Sequence, residues 1–255
     1  MRQSLKGGNY LINYTDIFNY ESLNIFTDAS IYKKPDDTYF GCAGYVAVCG
    51  DQVYEIDEQI YDNTTSNNSE IKAVRMGIET AIRWKEQFSH IRLFSDSQLC
   101  IFGLRDRFTN WVENSSNGTI NGSNGQPIIN QEIFIDIANL ILVNNLHIEL
   151  YHQDGHVALT NPRSIGKARQ DFIRFNNLNT DIDQALTYAL SYYNNMVDQS
   201  TRRILQDFVD HYANYPDYGY SVRYEACKFI MPNNFDIKGY YSLTHDNNKQ
   251  WRKIK

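Results

Sequence analysis

Between Tyr151 and Val157, in Tyr-His-Gln-Asp-Gly-His-Val, the two imidazoles of His152 and His156 flank the carboxylate of Asp154, directly after an alternating apolar run. Histidine and aspartate both bind divalent metals, so the spacing is compatible with a metal site, a hydrolase constellation or a polar loop. Four further acids stand at the ends of predicted elements. Asp28 follows an apolar strand, Glu70 opens a helix, Asp96 follows Ile91-Arg92-Leu93-Phe94, and Asp171 lies on the last core helix. Singly, an acid at such a place is commonly structural. Jointly they say more, because a sheet whose first and fourth strands run parallel and adjacent brings Asp28 and Asp96 side by side. Carboxylates at close range repel one another unless a cation neutralises them. An oxygen-rich acidic site favours Mg²⁺ or Mn²⁺, and two such ions about 4 Å apart can activate a water and stabilise a leaving oxygen in phosphoryl transfer.

The elements that must position these acids can be read from periodicity. Residues 1–22 read as an irregular arm. Leu23–Ser30, the stretch from Tyr39 to Gly50 and the stretch from Gln52 to Gln59 alternate as strands and suggest an antiparallel meander. The polar run Asp62 to Glu70 supplies N-cap candidates for a helix whose face carries Glu70, Val74, Gly77, Ile78 and Ala81. A short strand ends at Asp96, and helical spacing returns from Ser97 to Phe108. A Gly/Asn/Ser loop, a helix from Asn130, a strand over residues 146–153 and a helix with Ile165, Ala168, Phe172 and Phe175 on one face follow. Strand alternating with helix implies parallel pairing. Beyond residue 178 the pattern predicts two amphipathic helices with a break near Asp198, then strands at 218–232 and 235–245.

At 255 residues the chain is long enough for one ample core with an appendage. No apolar run reaches the ~20 residues of a membrane span and the N-terminus has no signal-peptide core, so a cytoplasmic protein is expected. Cys42, Cys49, Cys100 and Cys227 lack close-paired spacing, which predicts buried thiols rather than a zinc cluster or disulfides. The formal charge of −6 argues against nonspecific nucleic-acid binding through a uniformly basic surface. It is uneven, however: residues 1–178 hold 15 basic and 21 acidic side chains, and 179–255 hold 9 of each, ending in a basic tail.

The motifs resemble the type 1 ribonuclease H family. Phe26-Thr27-Asp28-Ala29-Ser30 is similar to the family's opening F-T-D-G/A-S. Residues 65–71, Thr-Ser-Asn-Asn-Ser-Glu-Ile, are similar to T-N-N-x-x-E-L. The run from Asp96 to Trp111 resembles D-S-Q-Y-V-x-x-G-I-x-x-W-x-x-N-W, with Gly103 and Asn110-Trp111 in register. The resemblance covers about residues 23–178. It implies an α/β fold: a mixed five-stranded sheet, three strands as an antiparallel meander and the rest parallel, flanked by helices, here with an α+β C-terminal extension. The implied organisation is an arm at 1–22, a catalytic domain at 23–178 and an extension at 179–255. The implied metal ligands are Asp28, Glu70, Asp96 and Asp171, holding two Mg²⁺ or Mn²⁺ ions. The implied reaction is hydrolysis of the RNA strand of an RNA/DNA hybrid to 5′-phosphate and 3′-hydroxyl ends.

By the same resemblance Thr65 contacts a DNA phosphate, Asn67 and Gln98 the minor groove, and Trp111 the DNA strand, while His156 assists proton transfer or product release. The residues alone also allow Asn67 as a cap, Gln98 as a solvated helical position, Trp111 as core and His152 as a structural strand end. The chain departs from the family at four places, one of them a loop from His156 to Asp171 that runs several residues long. Asp154 stands where a lysine precedes Gly-His. Lys167-Ala168 stand where an Asn-Glu pair precedes the final Asp. The loop after Trp111 is neither basic nor helical, whereas some members carry a basic helical handle there. Substrate grip must then come from elsewhere, and residues 179–255 are a candidate surface for a protein or nucleic-acid partner. Two other classes fit the same residues: a binding or regulatory module on this fold, and a nuclease for double-stranded RNA or structured DNA. The oligomeric state is left open.

Overall fold

The computed structural model describes residues 11–116, 119–211 and 236–245. In chain order it contains β1 (Leu11–Ile12), α1 (Tyr14–Ile17), β2 (Ser22–Lys33), β3 (Tyr39–Cys49), β4 (Gln52–Tyr61), α2 (Ser66–Trp84) and β5 (His90–Ser95). Then come α3 (Gln98–Phe102), a π-helical turn (Gly103–Arg107), α4 (Phe108–Glu113), α5 (Gln131–Val143), β6 (Glu149–His152), α6 (Pro162–Phe175), β7 (Asp181–Ile182), α7 (Gln184–His211) and α8 (Ile237–His245).

The main sheet has the order β4-β3-β2-β5-β6. Strands β2, β3 and β4 form the expected antiparallel meander, while β5 and β6 run parallel to β2. Central β2 is covered by helices on both faces, so Leu23, Ile25, Phe26 and Thr27 are all inaccessible instead of alternating. On one face α2 seats Ile71, Val74 and Ile78 against Leu23, Ile25 and Leu93. Gly77 permits this approach, since a Cβ there would meet Leu93 and Thr27 at 2.8 Å. On the other face the aromatic series Phe26, Phe94, Tyr151 and Phe172 stacks, with ring centroids 4.8 Å apart for Phe26–Phe94 and 5.4 Å for Phe94–Tyr151.

Two expectations about the C-terminal part are corrected. Residues 184–211 form one uninterrupted helix, because Thr187, Leu190, Ser191, Asn194, Val197, Asp198, Thr201 and Leu205 make one continuous buried stripe at helical spacing. Asp198 belongs to that stripe and does not break it. Residues 237–245 are helical, not a strand: Tyr240, Leu243 and Thr244 are buried at the i, i+3, i+4 positions of one face. The strand expected at 218–232 lies outside the described residues.

The boundary expected at 178/179 does not separate the packing. Leu186, Leu190, Tyr193 and Val197 of α7 share a core with Phe26, Val46 and Val48 of the sheet. The arm is tied in as well, since β1 pairs in parallel with β7, Leu11 opposite Asp181. Cys42 and Cys100 are buried free thiols and Cys49 is partly buried. Among the described residues, no helix is long and apolar enough to cross a membrane.

Tyr240 docks α8: its ring is fully buried and its hydroxyl donates to the Leu104 carbonyl at 2.7 Å. Tyr240→Phe removes that donor from a dry site and should lower unfolding free energy by about 1–2 kcal/mol in urea denaturation, with the denaturant slope unchanged.

Candidate active site

The parallel register of β2 and β5 ends with Thr27 opposite Ser95, which delivers Asp28 and Asp96 to neighbouring positions at the same sheet edge. Glu70 arrives from α2, one turn beyond its start. The Thr65 hydroxyl caps that start by accepting from Asn68 N at 3.2 Å. Gly41 lets the helix come so close, as any side chain there would collide with Thr64 and Ser69. One carboxylate oxygen from each of Asp28, Glu70 and Asp96 lies within 4.8 Å of the others.

The electrostatics of this trio are adverse without a cation. Burial, then the Asp96 charge, pushes the Asp28 carboxyl up to about 8. Burial and the charges of Asp28 and Asp96 drive Glu70 well above the usual carboxylate range, and burial raises Asp96 as well. Asp28 Oδ2 and Glu70 Oε2 are buried acceptors without a hydrogen-bond partner. Lone pairs shut off from water and unmatched by donors are costly, and a hard divalent cation satisfies several at once. The donor set is all oxygen, which suits a hard divalent cation.

The opening histidine stretch supplies the wall of the site. A side chain at Gly155 would overlap the Asp96 carboxylate, so only glycine lets this loop lie against it. His156 takes φ +53°, a left-handed conformation strained for a non-glycine residue, and projects an exposed ring at the site. The loop is pinned to α7 by the Asn195 amide, which donates to the Val157 carbonyl at 2.8 Å. His152 is buried. Its Nε2 lies 3.1 Å from the Asp96 carbonyl and its ring rests between Phe102 and Phe175. Because a carbonyl can only accept, that nitrogen carries the hydrogen, and burial lowers the His152 pKa to favour the neutral ring. His152 thus positions Asp96 from behind.

Asp171 stands apart from the trio. Its carboxylate is held by Lys167 at 2.8 Å and Arg174 at 2.6 Å, and Lys167 leads the causes that lower its pKa, opposite to the trio. Asp198 of α7, only 8 % exposed, does bear on the trio, since its charge raises Asp28, Glu70 and Asp96 alike, while Asp154 adds to the effect on Asp96. His156 Nδ1 approaches Asp198 Oδ2 at 3.5 Å, and Arg202 Nε lies 2.8 Å from its Oδ1. Close seating of α7 depends on Gly44, opposite Asp28, since a Cβ there would meet Thr201. The sequence reading names Asp171 as a ligand and does not name Asp198 as one. The available signal was the pair Asn194-Asn195, four and three residues before Asp198, in the place of the Asn-Glu pair that is missing before Asp171.

Thr65, Asn67 and Gln98 are solvent-exposed on the α2 and α3 starts, Thr65 serving also as the cap. Trp111 is core, not surface: it is 7 % exposed and its ring packs edge-on against Phe134 at 5.2 Å.

The raised carboxyl pKa values carry a stability signature. Asp28 binds its proton more tightly in the folded chain, about 8 against 3.8, so folding is most favoured below pH 4 with respect to this group and loses that advantage as pH rises toward 8. In chelator at neutral pH, Asp28→Asn should therefore raise the unfolding free energy by at least about 1 kcal/mol, and flatten the decline of Tm across that window. Gly155→Ala should leave the far-ultraviolet circular dichroism intact while weakening Mn²⁺ binding by about tenfold or more in calorimetry, because its methyl displaces the Asp96 carboxylate.

A family model described as RNase H matches residues 20–169. The chain is 29% identical over 127 residues to a ribonuclease H of Mannheimia succiniciproducens, covering 49% of this chain and 72% of that one. It is 32% identical over 116 residues to a ribonuclease H of Haemophilus influenzae, covering 45% of this chain and 67% of that one. Among solved structures, it is similar to the prototype foamy virus RNase H domain, with TM-score 0.46, 20% identity, and 70% and 96% of the two chains covered. With an RNase H family match across most of the sheet and the acidic trio at its centre, the chain belongs to the RNase H family of nuclease hydrolases.

Proposed function

We propose that this chain is a metal-dependent endonuclease that hydrolyses the RNA strand of RNA/DNA hybrids, leaving 5′-phosphate and 3′-hydroxyl ends. The observation that carries the proposal is the convergence of Asp28, Glu70 and Asp96 within 4.8 Å, with buried acceptors left unmatched and Asp198 facing them from α7. Asp28, Glu70, Asp96 and Asp198 are the proposed holders of two Mg²⁺ ions, with Mn²⁺ as a substitute. Divalent cations bound there supply an activated water and stabilise the leaving 3′ oxygen.

The chain's own residues then have distinct tasks. Asp28, on the central strand and within 4.8 Å of both Glu70 and Asp96, would help hold the cations. His152 fixes the backbone from which Asp96 projects. His156, exposed and beside Asp198, is placed to take or give a proton near the departing product. Asn67 and Gln98 present amides able both to donate and to accept, which suits 2′-hydroxyls and base edges in a minor groove. The exposed Thr65 hydroxyl is placed for a phosphate.

A labelled hybrid should be cut with Mg²⁺ or Mn²⁺ and left intact in chelator. Asp96→Asn and Asp198→Asn should each lower kcat by about a hundredfold or more, whereas Asp171→Asn should stay within a few-fold of the parent. Equal loss in Asp171→Asn would restore that residue as the fourth ligand. Binding of the hybrid without cleavage would favour a binding module, and faster cleavage of double-stranded RNA or structured DNA would change the substrate.

A further inference from the structure

Helix α6, between the Gly-His loop and the helix that carries Asp198, has a use beyond packing. Arg163, Lys167, Gln170 and Arg174 follow one another at spacings of four, three and four residues and are all exposed, so they form one outward stripe about 16 Å long. The opposite face, with Ile165, Ala168 and Phe172, is buried. Arg163 stands in the first helical turn, where a cation works against the helix dipole, and among the described residues it has no carboxylate partner. Such placement does not serve the helix itself.

The acids near this stripe lie beneath it. Asp154 and Asp171 are 18% and 12% exposed at their side chains, whereas Lys167 and Arg174, which they hold, are 74% and 66% exposed. Arg169 leaves the stripe to pair with Asp181 on the flank. An approaching polyanion therefore meets the cationic ends first, already held in place from below. The stripe also borders the site: Lys167 Nζ is 3.3 Å from Asp154, and the next residue, Gly155, lies against the Asp96 carboxylate.

We propose that the exposed face of α6 is a binding ridge for the phosphate backbone of the nucleic-acid duplex, with Arg163, Lys167 and Arg174 as its contacts and Asp171 as the residue that positions two of them. The proposal rests on the nuclease reading for its choice of duplex. It places the grip on the His156 side of the carboxylates, in a chain whose overall charge is −6. Phosphate contacts of this kind release counterions, so their number is read directly from the salt dependence of binding.

The test is fluorescence anisotropy of a short labelled RNA/DNA hybrid across a NaCl series, using the full chain with Asp96→Asn to prevent cleavage. Adding Arg163→Gln, Lys167→Gln and Arg174→Gln together should reduce the slope of log affinity against log salt by about 2–3 and weaken low-salt binding by about tenfold or more. Arg169→Gln should change neither. A DNA duplex of equal length should lose the same share of affinity, since phosphate contacts carry no sequence information. An unchanged slope in the triple variant, an equal loss in Arg169→Gln, or no binding by the parent chain would overturn the ridge. If the chain with Asp96 intact fails to cut the hybrid while the slope change is present, the nuclease reading falls and the ridge stands.

Discussion

The repulsion among three desolvated carboxylates governs much of this molecule. Asp28, Glu70 and Asp96 converge from three elements, and each is pushed toward its protonated form by burial and by its neighbours. A fold that merely maximised its own stability would not gather them. The cost is borne by what surrounds them: a central strand covered on both faces, an aromatic series beneath, and two helices seated through glycines. The loop beside them is also constrained, with His156 left-handed and Gly155 packed against Asp96 where no side chain fits.

Helix α7 links that site to the rest of the chain. It shares a core with the sheet through Leu190, Tyr193 and Val197, clamps the Gly-His loop through Asn195, and turns Asp198 toward the trio. The region that falls outside the family match at residue 169 therefore packs against the sheet and the loop beside the trio. Helix α6 follows the loop and precedes α7 in the chain. Its apolar face completes the layer while its outer face carries cations.

The role of Asp171 follows from its company. A carboxylate between Lys167 and Arg174 is neutralised by them and kept ionised, which is the reverse of the condition of the trio. Ion pairs of this exposure add little stability. Their structural effect is to hold two long cationic side chains on the same side of a helix. Asp154, which departs from the lysine of related loops, joins the same network through Lys167.

Much of the fold was legible in the residues by themselves. Period-two and period-3.6 patterns placed the five main strands, α2, α5 and α6, and the motifs around Asp28, Glu70 and Asp96 pointed to their meeting, because local spacing decides which face of an element a side chain occupies. What spacing cannot supply is which element covers which. Asp171 and Asp198 are both acids on amphipathic helices, and Trp111 reads equally well as surface or core. Only the packing of α7 across β2 and β3, allowed by Gly44, brought Asp198 to the trio, and only the closeness of Phe108 and Phe134 enclosed Trp111. These are contacts between residues far apart in the chain, set by the burial of whole faces; a local cue such as Asn194-Asn195 can mark a candidate acid, but it does not say which face that acid meets.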